Sequence, residues 1–277
     1  MTVAAKLPIL LAILLSLSAP RSAAAQNATA LRLDYDFYAL GLHAMTADIA
    51  FNLTPDAYRM ELNLRTVGAV DLIAGGYQYQ GASGTFAPGR VAPRQFVTIG
   101  SWRGKNRAAK LAYTDILPTV LNILPPIEGE REPVPNAMRE RTIDAFSVLA
   151  LLLRRVAETG RCEVDTRTFD GRRVVQYEAR TAGNEDHART GRSSFAGRAL
   201  RCDFGSHMLA GFRTADNREA DNIPRQGSIW LGEVAPGVPR LPVRMSFATK
   251  WFGDIAMYVT AIGPSAIPLG EPLVPRP

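Results

Sequence analysis

The chain has 277 residues, of which 47% are hydrophobic, with a formal net charge of +6 and two cysteines. This length and composition allow one large β domain or two small ones, with a full core and no need for metals or many disulfides. The basic residues are scattered along the chain rather than gathered on one element, which argues against a nucleic-acid-binding protein. Their excess over acidic residues leaves open a peripheral contact with anionic lipid.

Residues 1–25 have the layout of a cleavable signal peptide. Lys6 precedes an apolar run from Leu7 to Leu17, and small residues follow in the stretch 21–25. The apolar run of about a dozen residues is too short to cross a bilayer core of roughly 30 Å as a helix. The next residue, Gln26, offers no thiol for lipid attachment. We therefore predict an exported protein that works outside the cytosol and is not an integral membrane protein.

The alternation of apolar and polar residues then predicts β-strands. Leu31 to Phe37, Met45 to Leu53 and Tyr58 to Leu64 are three such runs, separated by short turns. This pattern is typical of an antiparallel meander with one face buried. Further strand-like segments follow as far as Tyr113, and the residues 70–74 between them form a short helical or irregular link.

The middle of the chain changes character. Residues 115–141 have no periodicity and contain five prolines, so they form either a lid or wrapping loop, or a plain connection across the sheet. A helix follows near residues 142–159. Thr142 or Asp144 can cap its start, apolar residues recur at helical spacing, and Gly160 ends it.

A second β-rich section follows the helix. Asp170-Gly171 between two strand-like runs predicts a tight hairpin. The polar stretch 181–197 is expected to be an exposed loop. Segments 200–204 and 208–212 are expected to form a strand pair, before a terminal meander over 228–262. The Pro-rich tail, 264–277, is expected to be disordered or extended.

The two cysteines, Cys162 and Cys202, both lie in this section. In an oxidising compartment a single pair usually forms one disulfide, although two free thiols are the alternative. Closing a loop of about 40 residues would stabilise the fold by roughly 3–4 kcal/mol. A redox-active pair is disfavoured because no Cys-x-x-Cys spacing is present.

Motifs for catalysis are lacking. His43, His187 and His207 fall in different segments, and none has a partner at the spacing of a zinc site. There is no Gly-x-Ser-x-Gly elbow, no phosphate-binding loop and no dinucleotide-binding glycine motif. We therefore assign no catalytic residue, no metal ligand and no cofactor.

Aromatic residues are spread over most of the predicted strands. They either fill a closed core or line an apolar groove for a lipid-like ligand on a curved sheet. The candidate ligand-lining residues are Tyr35, Phe37, Phe51, Tyr58, Trp102, Trp230 and Phe247.

Several short motifs occur in an order that resembles a known bacterial family. They include Arg131-Glu132-Pro133-Val134-Pro135, Thr142 to Ser147, Phe169 to Arg173, Cys202 and Leu241-Pro242-Val243-Arg244. The chain resembles the envelope family of domain of unknown function 3108 (DUF3108) over nearly all of its mature length. This resemblance implies a periplasmic location in a Gram-negative bacterium, but no settled activity and no functional residues.

These observations predict one mature domain over residues 26–263. Its fold class is mainly β, a strongly bent antiparallel sheet or partly open β-barrel with one principal helix. The layout is also similar to the half-barrels of LolA-type lipoprotein carriers, a likeness of fold that does not fix function.

Three functional hypotheses follow from this fold. The first is a non-catalytic envelope protein that binds a lipid-like ligand in the concave face of its sheet. The second is an envelope scaffold acting through sheet edges or residues 115–141, with an unknown protein partner. The third is an envelope hydrolase.

Overall fold

The computed structural model describes residues 29–114, 116–214, 223–249 and 253–274. The signal peptide predicted over residues 1–25 lies outside this range. The described strands of the first half are β1 (Thr29–Ala39), β2 (Leu42–Leu53), β3 (Ala57–Thr66), β4 (Gly76–Ala87), β5 (Arg90–Trp102), β6 (Lys105–Ala112) and β7 (Thr119–Leu124). Those of the second half are β8 (Val164–Phe169), β9 (Val174–His187), β10 (Gly197–Ala210), β11 (Arg225–Gly232), β12 (Leu241–Thr249) and β13 (Gly253–Pro264).

The described helices are α1 (Gly68–Ala74), α2 (Asn136–Arg139) and α3 (Ala145–Thr159). Within the described ranges, no helix has both the length and the apolar character needed to cross a membrane.

All thirteen strands belong to one antiparallel sheet that does not close. Its order is β7-β6-β5-β4-β3-β2-β1-β13-β12-β11-β10-β9-β8, so each half of the chain is a continuous meander. The two halves meet where β1 pairs with β13, for example at Phe37 and Met257. β7 and β8 are the outermost strands. The predicted fold class, a bent antiparallel sheet or partly open barrel, is confirmed.

Alternating side chains give the sheet a buried inner face and a polar outer face. On β1, Leu33 and Tyr35 are buried, whereas Arg32 is exposed and carries an ion pair to Asp34. The inner residues pack with those of the neighbouring strands into one core. The alternation of apolar and polar residues along each strand therefore determines which face of the sheet is buried.

The long helix α3 covers part of this core. The Asp144 side chain caps its first turn by accepting a hydrogen bond from the Ser147 backbone, and Gly160 ends it in the left-handed conformation. The buried side of α3, which includes Phe146 and Leu153, packs against β4, β5 and β8. The helix predicted near residues 142–159 is confirmed.

The two ends of the sheet approach each other without pairing as strands. The Tyr113 hydroxyl, just after β6, donates to the Phe169 carbonyl at the end of β8, at 2.7 Å. Ile143, just before α3, forms a short parallel bridge with Thr168 on β8. Gly171, in the predicted β8–β9 hairpin, lies against the Ile123 side chain of β7. Side chains and single backbone bridges thus join the sheet ends.

The predicted disulfide between Cys162 and Cys202 is confirmed, with a Cα–Cα distance of 5.7 Å. Cys162 directly precedes the edge strand β8, and Cys202 lies on β10, two strands away. The Cys162 backbone also donates to the Thr181 hydroxyl of the intervening β9 at 2.8 Å. The bridge therefore ties the outermost strand to the interior of the sheet.

The boundaries predicted for three segments were wrong. Residues 115–141 contain the edge strand β7 and the short helix α2. The polar stretch 181–197 continues β9 as far as His187 before a connection to β10, because its backbone pairs with β10. Segments 200–204 and 208–212 are one strand, since Gly205 and Ser206 pair on both sides.

The C-terminal tail was predicted to be disordered or extended, but its described part is held against the outer face. The Asn52 amide donates to the Ile267 carbonyl at 2.6 Å, and the buried Arg59 guanidinium donates to the carbonyl oxygens of Glu271 and Pro272. Leu273 is buried in a small cluster with Tyr79. Backbone acceptors and one apolar anchor therefore give the tail a fixed place.

Arg59 is itself paired with Glu61, and both side chains are almost fully buried on β3. The Arg59 Nε donates to the Glu61 carboxylate at 2.7 Å. Removing one partner of such a pair leaves an uncompensated buried charge. The pair therefore makes both β3 and the tail sensitive to a single substitution.

We expect Glu61→Gln to lower the free energy of unfolding by about 3–5 kcal/mol, measured by urea denaturation. The matched control is Glu178→Gln, which removes the acid of the exposed Arg180–Glu178 pair and should have a much smaller effect. Equal losses in the two variants would contradict a structural role for the buried pair.

Candidate functional site

A cavity of 290 Å³ lies on the inner side of the sheet, between its two ends. One wall comes from β4, β5 and β6, and the facing wall from β8, β9 and the turn between them. Arg131, from the segment after β7, and Ala145, at the start of α3, complete the lining. Residues from both halves of the chain therefore meet at this one place.

The inner face of β4 and β5 changes from apolar to polar along its length. Ala82 pairs with Phe96 and both are buried, whereas the next inner pairs are Gln80 with Thr98 and Gln78 with Gly100. A Cβ at Gly100 would lie 2.6 Å from the Tyr77 carbonyl oxygen, so no larger residue fits there. The polar pairs and the glycine leave space where the core ends.

Glu130 links arginines from the two walls. Its carboxylate accepts hydrogen bonds from Arg107 of β6 at 2.7 Å and from Arg172 of the β8–β9 turn at 2.9 Å. Burial alone would raise the pKa of Glu130, but the hydrogen bond and charge of Arg107, with the charge of Arg172, outweigh burial and lower it. Glu130 is therefore held ionised between the sheet ends.

The β8–β9 turn is organised by Asp170. Its carboxylate accepts hydrogen bonds from the backbone N–H groups of Arg172 and Arg173, both at 3.0 Å, and from the Arg173 side chain at 2.8 Å. Burial raises the pKa of Asp170, and the Arg173 charge and these hydrogen bonds outweigh it, so the net shift is downward. The Asx turn thereby orients both arginines at the cavity.

The site has an excess of positive charge. Arg107, Arg131, Arg172 and Arg173 line it, against the carboxylates of Asp170 in the lining and Glu130 beside it. The Arg172 side chain is only 11% exposed, and burial lowers its pKa. Phe96, Trp102 and Tyr177 add aromatic surface. Such a cavity suits a small anionic group attached to an apolar or ring-shaped body.

The seven aromatic residues proposed from the sequence as ligand-lining fall in different places. Four of them pack in the main core and line neither the inner cavity nor the groove across β9 to β13: Tyr35, Phe37, Phe51 and Tyr58. Trp102 lines the inner cavity, whereas Trp230 and Phe247 line a groove across β9 to β13. Among the seven, Trp102 alone lies in the candidate site.

Sequence reasoning does not single out the four arginines and two glutamines that line the cavity. Gln78 and Gln80 alternate with Tyr77 and Tyr79, which marks a strand whose inner face turns polar. The Asp170-Gly171-Arg172-Arg173 stretch predicts a hairpin and belongs to the family motifs, but neither observation points to a cavity. What joins these segments is the curvature of the sheet, which no local pattern encodes.

The groove on β9 to β13 is larger, at 790 Å³, and several of its charged side chains are paired with one another. Arg201 pairs with both Glu185 and Asp203, and the Trp230 ring lies between the guanidinium groups of Arg201 and Arg244. The Trp230 indole N–H donates to Glu185 at 2.7 Å. The groove is lined by three arginines against four carboxylates, whereas the inner cavity is lined by four arginines against one carboxylate. The inner cavity is therefore the better candidate for an anionic group.

Across the residues that the structure describes, no three His, Cys, Asp or Glu side chains are grouped so that they could hold a metal ion.

A buried polar chain connects α3 to the sheet. The Tyr58 hydroxyl on β3 lies 2.5 Å from the Ser147 hydroxyl, which donates in turn to the Asp144 carboxylate. Burial raises the pKa of Asp144 to about 6, and the hydrogen bonds from Ser147 offset only part of that effect. Ser147 is fully buried, so its hydroxyl is closed to a substrate from solvent.

The raised pKa of Asp144 predicts a pH-dependent stability. In the unfolded chain its pKa returns toward 3.8, so the folded state binds the proton more tightly. The contribution of protonated Asp144 to the free energy of unfolding is complete below about pH 4 and is lost as the pH rises through about 6. Because Asp144→Asn does not titrate, we expect the unfolding free energy of the native chain, minus that of the variant, to fall between pH 4 and 7.

The fall should approach about 1.4 kcal/mol for each pH unit between about pH 4 and 6 and should level off above pH 6, measured by urea denaturation at several pH values. Ser147→Ala removes the hydroxyl that donates to the ionised Asp144 but keeps the backbone N–H donor, so the pH-dependent loss of stability should occur at higher pH in this variant. A difference between native chain and Asp144→Asn that is constant from pH 4 to 7 would contradict the assignment.

One crystal structure shares this fold. It is described as a beta-barrel-like protein of domain of unknown function DUF1849 from Brucella abortus, with a TM-score of 0.50 and 12% sequence identity. The similarity covers 86% of this chain and 98% of that chain. At this identity it supports the barrel-like fold alone. None of the curated proteins matches the chain in sequence.

The family comparison is more direct. The model of the family described as "Protein of unknown function (DUF3108)" matches residues 33–260. This range begins in β1 and ends in β13, so it includes every other described strand, all three helices and the inner cavity. The resemblance seen in the sequence motifs is thereby confirmed, and the chain belongs to the DUF3108 family.

Proposed function

We propose that this chain is a non-catalytic binding protein of the bacterial periplasm, whose inner cavity receives the anionic group of a lipid-like ligand. The observation that carries the proposal is the arginine-rich lining between the two ends of the sheet. Guanidinium groups are suited to phosphate and carboxylate because their paired N–H donors match two oxygens at once.

The size of the cavity limits what it can hold. At 290 Å³ it has room for roughly ten water molecules, enough for a phosphate or carboxylate group and its first carbon atoms. The rest of the inner face is packed with buried side chains. The ligand's acyl chains would therefore remain outside the core, and the protein would recognise the polar head of the ligand.

The periplasmic location rests on the sequence. A signal-peptide layout over residues 1–25 and a buried disulfide both suit an exported protein in an oxidising compartment.

The proposal predicts that the protein binds dodecyl phosphate more tightly than dodecyltrimethylammonium, an amphiphile of opposite charge. Calorimetric titration below the micelle concentrations would measure this difference. Arg172→Gln should weaken dodecyl phosphate binding by about tenfold or more, because it removes a charged hydrogen-bond donor from the cavity. Arg198→Gln, at an exposed position of β10, is the matched control and should leave binding unchanged.

Because Arg172 also pairs with Glu130, a second variant separates binding from folding. Thr98→Leu keeps every charge and fills part of the cavity, so it too should weaken dodecyl phosphate binding while the thermal unfolding midpoint stays near the native value. Native mass spectrometry of the protein purified from the periplasm would show any ligand retained from the cell. Equal affinity of both probes, unaffected by either variant, would refute the proposal.

The second hypothesis, a scaffold acting through a sheet edge or residues 115–141, has its own supporting observation. The edge strand β7 carries Leu121 and Leu124, both exposed. An exposed edge of this kind can pair with a strand of another protein. Co-purification of one defined partner, lost on Leu121→Lys, would favour this function over ligand binding.

A further inference from the structure

At the end of the sheet where β1 turns into β2 and β3 leads to β4, four large apolar side chains point into solvent. They are Leu40 in the β1–β2 turn, Leu42 at the start of β2, and Leu72 and Ile73 on α1, and we call these four residues the apolar rim. Leu72 is 90% exposed, Ile73 76% and Leu40 73%. Solvent-exposed apolar side chains from two separate connections mark an interaction surface.

The two connections form one surface because their backbones are bonded together. The Val67 N–H, just before α1, donates to the Ala44 carbonyl of β2 at 3.0 Å. After α1, the Gly75 carbonyl accepts from the Arg103 N–H of the β5–β6 turn at 2.9 Å. The apolar rim is thus continuous with the basic β5–β6 turn.

Stability does not account for these apolar residues. Leu40 adopts a φ of 51° and precedes Gly41 at 81°, a two-residue turn in which Asn-Gly or Asp-Gly is preferred. A leucine in this left-handed conformation is strained, and its exposed side chain recovers little by packing. Likewise, no residue of α1 is buried. Burial of these side chains therefore contributes little to the stability of the isolated protein.

The charge around the rim indicates the kind of partner. Arg65, Arg103 and Lys105 are all exposed, and none of them forms an ion pair with another described residue. Asp71, the acid on α1, turns its carboxylate toward the Thr66 hydroxyl of β3 and accepts a hydrogen bond from it. Exposed cations beside protruding leucines match an anionic lipid surface, where leucines enter the acyl layer and cations meet the head groups.

We infer that the apolar rim, with Arg103 and Lys105, docks this protein on an anionic lipid membrane. The inference goes beyond the proposed function and does not require the inner cavity to be occupied. The two are nevertheless at the same end of the sheet, since Trp102, the last residue of β5, lines the cavity and packs beneath Gly76, which follows α1. Docking by the rim would bring the cavity close to the lipid head groups.

The test is flotation of the protein purified from the periplasm with two kinds of vesicle, phosphatidylcholine alone and phosphatidylcholine with phosphatidylglycerol. We expect binding to the anionic vesicles and its loss in high salt, which shortens the screening length from about 10 Å at 0.1 M to about 3 Å at 1 M. Failure to bind either vesicle would overturn the inference.

Leu72→Ser/Ile73→Ser should reduce partition into anionic vesicles by about a hundredfold, because each buried aliphatic side chain contributes about tenfold. Both side chains are exposed, so folding should be preserved. The matched control is Ile116→Ser, which removes a side chain that is 64% exposed at the opposite end of β6. Native-like binding by the double variant would overturn the inference.

Arg103→Gln/Lys105→Gln tests the charge separately. It should remove the preference for anionic vesicles, whereas Arg90→Gln, at the exposed start of β5, should keep it. Arg172→Gln should still float with anionic vesicles, so failure of the cavity proposal and failure of the rim inference can be distinguished. An unchanged anionic preference in the Arg103/Lys105 variant would count against the inference.

Discussion

The fold depends on the contacts that hold the two ends of its open, thirteen-stranded sheet together. An antiparallel sheet that does not close leaves unpaired backbone groups on its outermost strands. Here strand pairing is replaced by a small set of cross-links: the Tyr113 hydroxyl on the Phe169 carbonyl, the bridge from Ile143 to β8, and Glu130 between two arginines. The sheet ends therefore approach without merging.

That mode of joining explains why the candidate site lies where it does. If β7 and β8 paired directly, inner side chains would meet across the join, as in a filled small barrel. Side-chain links hold the walls farther apart, and the space between them is lined by polar residues of β4, β5, β6 and the β8–β9 turn. The arginines serve two purposes there, since Arg172 both joins the sheet ends through Glu130 and lines the cavity.

Much of the fold could be predicted from the sequence, because its signals are local. The alternation of apolar and polar residues predicts the first strands. Asp144 and Gly160 mark the start and end of α3, and Asp170-Gly171 marks the hairpin between β8 and β9. The missed boundaries have a common cause. The polar residues after Thr181 and the pair Gly205-Ser206 are strands only because neighbouring strands pair with them. Such tertiary pairing overrides local composition.

The candidate site was less predictable. Aromatic residues were the visible signal for a groove, yet Tyr35 and Phe51 are core residues and the cavity lining is largely polar. Gln78, Thr98 and Arg172 are remote in sequence, and only the bend of the sheet brings them together. The exposed leucines of the rim carry no pattern in the sequence, because leucines in a turn and a short helix look like ordinary core residues until the backbone is known.

The pairing of β1 with β13 has a consequence for how the chain is made. The first strand pairs with the last, so two residues separated by most of the chain must meet, as Leu33 does with Ile262. During synthesis the amino-terminal meander emerges first, and one edge of β1 stays unpaired until the final strand has been made. Non-local pairings of this kind fold slowly and expose a template for aggregation. The yield of native protein would therefore depend on how well that edge is protected until β13 is available to pair with it.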